Sequence, residues 1–205
     1  MTRYPELTSA GGLLRLADYI GTASFAFSGA LVAARKGMEL FGCIVVGTIA
    51  SVGGGTLRDA LTGNTPVFWM VETEYLAICV LFAGGSFLLY RDAPHVASRW
   101  CAHPLVQWTD HLGVAAFAVI GCQSALRRNL SSESCLLCGL FTATFGGLVR
   151  DVLVNPGVRI LPGHWSALAS AFVYLVCSDR GRGCSPSMRI AAGIAAGLVV
   201  RAYAA

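Results

Sequence analysis

The chain has 205 residues, 55% of them hydrophobic and only 13% charged, with a formal net charge of +4 and a mean hydropathy of +0.64. Soluble domains carry about 25% charged residues, so this composition excludes a water-soluble globular domain. The small positive charge points to lipid headgroups, and not to nucleic acid, as its electrostatic partner.

Taken in order, apolar runs that approach the roughly 20 residues needed to cross hydrocarbon fall at 13–34, 40–61, 73–90, 106–126, 134–153, 162–177 and 188–205. The first is interrupted by Arg15 and Asp18 and followed by further runs, which reads as a span and not as a cleavable signal peptide. The second carries Gly53, Gly54 and Gly55 just ahead of Arg58 and Asp59. Each interior glycine forfeits about 1 kcal/mol relative to alanine, so a break or kink is expected there. Between the third and fourth runs lies a polar connection with His95, Cys101 and His103, whose spacing fits no metal-site template and reads as an interfacial loop. The fifth run holds Cys135 and Cys138 in a CxxC arrangement without a second pair; like most of the eight cysteines, they read as small membrane residues. The sixth run is short. The expected architecture is an all-α integral membrane protein, one transmembrane domain over 1–205 with seven transmembrane helices. Outside the two Arg-Asp pairs, seven basic residues fall on one side of that topology and six on the other, so the positive-inside rule leaves orientation open.

The chain contains its own duplicate. Ser51-Val-Gly-Gly-Gly-Thr-Leu-Arg-Asp59 returns 92 residues later as Ala143-Thr-Phe-Gly-Gly-Leu-Val-Arg-Asp151, and the same offset aligns Asp18 with Asp110, Gly21 with Gly113, Phe25 with Phe117, Gly29 with Gly121 and Gly47 with Gly139. Self-similarity of this kind dictates architecture. With three spans per copy, at about 13–90 and 105–177, and one more at 188–205, the odd number makes the two copies cross the membrane in opposite directions. Inverted repeats place their site near the bilayer midplane, where discontinuous helices of the two halves meet. The second and fifth spans are the candidates, with Gly53, Gly54, Gly55, Gly146 and Gly147 as kink positions and Ser51 and Thr144 as hydroxyls beside them. Carbonyls released at a break are cation ligands. The competing reading is that the glycines admit close helix packing, and that the hydroxyls bond back to their own helices.

Asp18, Arg58, Asp59, Asp110, Arg150 and Asp151 form the polar set. Charges at a span centre cost about 2.5–3.5 kcal/mol, so these groups are expected to pair, to face water or to snorkel towards headgroups. Because neighbours i and i+1 diverge on a helix, Arg–Asp pairs are expected between spans and not within each Arg-Asp dipeptide. The arginines are read as gating groups that neutralise an aspartate in a closed state or sense voltage.

The duplicated Gly-Gly-(Gly)-x-x-Arg-Asp motif, with Asn64-Thr65-Pro66-Val67-Phe68-Trp69 after its first copy, resembles the signatures of the prokaryotic branch of the trimeric intracellular cation (TRIC) channel family, and the likeness covers essentially the whole chain. The resemblance implies two inverted three-helix repeats plus a seventh helix, a homotrimer, and one cation pathway per protomer between the second and fifth spans. It further implies K+ as the permeant ion with Na+ as a candidate second, no cofactor, and a prokaryotic inner membrane. Phe145 stands where the first copy has Gly53, so unequal kinks and an apolar constriction of the pathway are expected. The lipid-binding loop signature of animal members is not evident. The runner-up is a secondary transporter for glycine or another small solute, since broken helices in inverted repeats serve carriers equally. An enzyme is not expected, because the glycine run lacks the Gly-Lys-Ser/Thr ending of a phosphate loop and no nucleophile and base stand at a convincing spacing.

Overall fold

The computed structural model describes residues 10–101, 103–154, 164–179 and 185–204; the start of the sixth apolar run, at 162, lies outside them. The described elements are helices: α1 (Ala10–Arg35), α2 (Leu40–Leu61), a single turn α3 (Phe68–Val71), α4 (Glu74–Asp92), a short α5 (Pro94–Cys101), α6 (Pro104–Leu126), α7 (Ser132–Val154), α8 (His164–Asp179) and α9 (Pro186–Ala204). Five of them, α1, α2, α4, α6 and α7, are long and apolar enough to cross a membrane. The sequence reading expected seven. The difference lies in α8 and α9: α8 has 16 residues, about 24 Å at 1.5 Å per residue against roughly 30 Å of hydrocarbon, and α9 carries Arg189 and Arg201. The α5 helix was not legible as an apolar run because it is amphipathic, with Ala97 fully buried and His95, Arg99 and Trp100 exposed.

The helix ends repeat as the sequence does. Gly37 has φ +80° after α1, with Met38 N–H donating to Ala33 O and Gly37 N–H to Ala34 O. Asn129, its counterpart after α6, has φ 56°, with Leu130 N–H donating to Ala125 O and Asn129 N–H to Leu126 O. Both are Schellman stops, which need a residue able to adopt a left-handed backbone, glycine first and asparagine next.

The two copies pack through contacts that interchange when the halves are swapped. Where α1 crosses α6, a methyl group on Gly21 would stand 2.8 Å from Gly113 Cα and one on Gly113 would stand 2.9 Å from Gly21 Cα. Phe25 and Phe117 stack beside this crossing with centroids 5.4 Å apart. A methyl on Gly47 would meet Ala26 O at 2.7 Å and Ala83 Cβ at 2.9 Å, while one on Gly139 would meet Ala118 O and Ala171 Cβ, both at 2.8 Å. Ala83 and Ala171 therefore match α4 to α8, at an offset of 88 residues. Lipid tails are as apolar as leucine, so association inside a membrane depends on such close backbone approach and its dispersion gain, with Cα–H···O contacts adding about 0.5–1 kcal/mol each.

Candidate functional site

The glycine clusters meet face to face. Gly53 lies against Gly146, with 3.3 Å between an added Cβ and Gly146 Cα; a methyl on Gly54 would collide with the Thr142 carbonyl oxygen, and one on Gly146 with the Ala50 carbonyl oxygen. Neither helix breaks there: α2 is continuous from Leu40 to Leu61 and α7 from Ser132 to Val154. The expectation of broken helices with released carbonyls is thus corrected. Gly54 and Gly146 serve a packing need, since any Cβ at either would force the two helices apart. Gly55 is covered by the Phe68 ring, 2.6 Å from an added Cβ, whereas Gly147 has only Arg150 Nη2 nearby, at 3.9 Å.

The crossing borders a small polar cavity lined by Asp18 and Thr22 of α1, Ser51, Gly55 and Arg58 of α2, Phe68 of α3, Phe117 and Ile120 of α6, and Thr142 of α7. Its volume of ≈ 10 Å³ is room for about one water. Thr144 does not line it and bonds back to Leu140 O at 2.7 Å; of the lining hydroxyls, Thr142 bonds back to Cys138 O at 2.6 Å, and Ser51 to Gly47 O at 2.9 Å with Thr22 O at 3.0 Å as a second acceptor. Their remaining lone pairs are what the cavity sees. Phe145 is not part of this lining; it borders an apolar groove of ≈ 480 Å³ with Val52, Gly53, Trp69 and Leu76.

Each arginine binds the aspartate that follows it. Arg58 Nε and Nη2 both donate to Asp59 Oδ1, at 2.8 and 2.6 Å, and Arg150 Nη2 lies 2.7 Å from Asp151 Oδ1. This corrects the expectation that the Arg-Asp neighbours do not pair with each other. Neighbouring Cβ atoms do diverge on a helix, but a long guanidinium arm folds back far enough to close the gap. The two sites differ in exposure: side-chain accessibility is 2% for Arg58 and 17% for Arg150.

In the first copy the pair is built into a plug. Asp59 uses its other oxygen, Oδ2, to accept the Phe68 N–H at 2.9 Å, which caps the start of α3. The Phe68 ring then lies 5.6 Å from Arg58 Cζ and edge-on to Tyr75 at 5.0 Å. Trp69 Nε1 donates to Thr56 Oγ1 at 2.9 Å, and Tyr75 donates to Asp18 Oδ2 at 2.5 Å. Asp110, the counterpart of Asp18, accepts from Ser24 Oγ at 3.4 Å. Truncating Phe68 to alanine removes both the lid over Arg58 and a ring that is 9% exposed; a loss of about 3–5 kcal/mol, as for other buried Phe→Ala changes, should appear as a lower melting temperature in detergent.

Sequence reasoning missed Phe68 as a plug and Tyr75 as the partner of Asp18, because both contacts join residues brought together only by the fold. It also missed Arg128, which donates to Thr62 O at 2.6 Å and Asn64 Oδ1 at 3.0 Å, and the cluster in which Arg15 and Tyr19 hold Glu74 at 2.5 and 2.7 Å. His103 acts as the N-cap of α6, its Nδ1 accepting from Leu105 N–H at 3.2 Å; the side chain of Cys101 lies outside the described residues. Cys135 and Cys138 are buried free thiols.

The profile of a family described as Glycine transporter matches residues 15–91 and 107–178, the two copies of the repeat. The UPF0126 membrane protein of Vibrio cholerae is 38% identical over 157 residues, covering 77% of this chain and 64% of that protein. The inner membrane protein YadS of Escherichia coli K12 is 35% identical over 144 residues, covering 70% of this chain and 67% of that protein. Among solved structures, the TRIC trimeric intracellular cation channel orthologue from Rhodobacter sphaeroides superimposes with a TM-score of 0.80 at 34% identity, over 93% of this chain and 96% of that one. The chain belongs to the TRIC family. A second TRIC cation channel structure matches with a TM-score of 0.81 at 28% identity, over 93% of this chain and 91% of that one. These structural neighbours of the TRIC protein are ion channels, not enzymes. With five apolar spans and membrane-protein relatives, it is a multi-pass membrane protein.

Proposed function

We propose that this TRIC protein is a potassium-permeable monovalent cation channel of a prokaryotic inner membrane, assembled as a homotrimer with one pathway in each protomer. In this reading α1, α2, α4, α6, α7, α8 and α9 all span, as two inverted three-helix repeats plus one, and ions pass beside the α2–α7 crossing. The observation that carries it is the polar cavity enclosed there by Asp18, Ser51, Arg58 and Thr142, in a chain whose fold follows that of cation channels. Arg58 is held by Asp59, so with Asp18 the site carries two acidic groups to one basic, a balance that favours cations over anions. Room for one water is too little for a hydrated ion, and Phe68, Phe117 and Ile120 supply apolar walls of the kind that close pores by dewetting. The described conformation is the closed one.

Purified protein in a planar bilayer under a potassium chloride gradient should give discrete currents reversing near the potassium potential. Asp18→Asn should shift that reversal towards zero, because the site loses half of its acidic groups. A silent bilayer together with saturable glycine uptake into vesicles would replace the channel with the carrier reading, which the family's description favours.

A further inference from the structure

The polar cavity lies between the two halves, and an arginine ties them together at its mouth. α1, α2 and α3 of the first copy supply one wall, and α6 and α7 of the second supply the other. One turn outward from Arg58, Thr62 caps the end of α2. Its carbonyl oxygen accepts from Arg128 Nη1 at 2.6 Å, and Asn64 Oδ1 accepts from Arg128 Nη2 at 3.0 Å. Arg128 stands in the turn between α6 and α7, just before Asn129 with its φ of 56°. The contact therefore runs from the turn that joins the two helices of the second wall to the outer end of the first. The last carbonyls of a helix carry the negative end of its dipole, which a guanidinium complements. Exchanging the halves turns Arg128 into Lys36, a point charge without the planar fork, so the clasp marks one end of the molecule.

The walls can part only beyond the glycine crossing. At Gly54 and Gly146 the α2 and α7 backbones touch, which makes the crossing a fixed point. Thr62 lies eight residues past Gly54, about 12 Å along the axis at 1.5 Å per residue. A rotation of about 10° about the crossing moves that tip by about 2 Å, enough to take a hydrogen bond out of range. Phe68 follows α2, because its N–H is held by Asp59, and so withdraws from Phe117 and Ile120 on the opposite wall. The fastenings differ in how readily they let go. Arg58 and Asp59 are a buried ion pair, which stays closed because neither charge has water to turn to. Arg128 is exposed and both of its acceptors are uncharged, so water replaces each bond that it releases.

Building on the channel reading, we propose that Arg128 is a positioning residue of the gate: its fork clasps the end of α2 to the α6–α7 turn, and its release lets the two walls scissor open about the glycine crossing. The test joins two readouts on Arg128→Gln, with Arg127→Gln, the neighbouring exposed arginine, as the charge control. Hydrogen exchange in detergent micelles should quicken about tenfold over residues 62–71, as loss of a charged hydrogen bond implies, while amides around the Gly21–Gly113 crossing keep their rate. In planar bilayers the open probability should rise by about the same factor, with unitary conductance and reversal potential unchanged because Arg128 does not line the cavity. Arg128→Lys keeps the charge without the fork and should recover only part of either effect. Adding Asn64→Ala to Arg128→Gln should change little more, since both act on one contact. Unaltered exchange over 62–71, faster exchange with unaltered open probability, or an equal effect of Arg127→Gln would overturn the proposal while leaving a conducting channel. Silent bilayers for the wild type and every variant would instead overturn the channel reading, and the gate with it.

Discussion

Replacing Gly54 with leucine should prevent α2 and α7 from packing and leave no stable folded protein. An added Cβ at Gly54 meets the Thr142 and Phe141 carbonyl oxygens and the Thr142 carbonyl carbon, all of them backbone. A flexible side chain could swing away; a helix backbone cannot do so without moving the whole crossing. Overpacking a core costs about 1–3 kcal/mol when side chains can adjust, so a clash with rigid backbone lies at or beyond the upper end. Gly146→Leu should behave alike, since it meets the Ala50 carbonyl in the reciprocal contact. Gly84→Leu supplies the control, for nothing lies within 4 Å of an added Cβ there. Size-exclusion profiles and melting curves in detergent read the difference. If Gly54→Leu and Gly84→Leu melted at the same temperature, the close crossing would not be what holds the halves together.

Arg58→Gln should be the most damaging of the charge substitutions. Asp59 is 0% exposed, and its Oδ1 accepts two bonds from the Arg58 guanidinium. Removing one partner of a buried pair costs about 3–5 kcal/mol because the other charge is left uncompensated. Adding Asp59→Asn should recover part of the loss, since asparagine is neutral and its side-chain oxygen can still accept the Phe68 N–H. Arg150→Gln should cost less, its side chain being 17% exposed and so better compensated by solvent or headgroups. The measurement is the melting temperature of the two single variants and of the double mutant. Equal losses for Arg58→Gln and Arg150→Gln would show that the plug around Phe68 adds nothing to the first site.

How much of this was legible in the sequence follows from how local each cause is. The duplication, the α2 and α7 segments and the meeting of their glycine faces were within reach because a gapless 92-residue offset, glycines at helical spacing and apolar runs are all properties of the linear chain. The choice between break and packing was not. It depends on whether another backbone lies within reach of the glycine face, and Thr142 O and Ala50 O supply that only after folding. Arg58 and Asp59 show the limit of reasoning from Cβ directions alone: the helical wheel parts them, and the length of the arginine side chain reunites them. Tyr75 and Phe68 came to the site from α4 and α3 without any periodic signal. The amphipathic α5 was hidden because a search for apolar runs discards a helix that is half polar by design.

The crossings also constrain the order in which the protein can be made. Gly21 finds its partner at Gly113 and Gly54 finds its own at Thr142, so the first copy reaches the membrane with its contact faces complete and nothing to press against. At synthesis rates of about 5–20 residues per second, the 92 residues between Gly21 and Gly113 represent several seconds to nearly twenty. During that wait the glycine faces of α1 and α2 lie open to lipid or to any other small-residue helix nearby. A nascent chain stalled before α6 is therefore a half-molecule with two unoccupied docking faces, which makes it a natural client for whatever shelters unfinished spans at the insertion site.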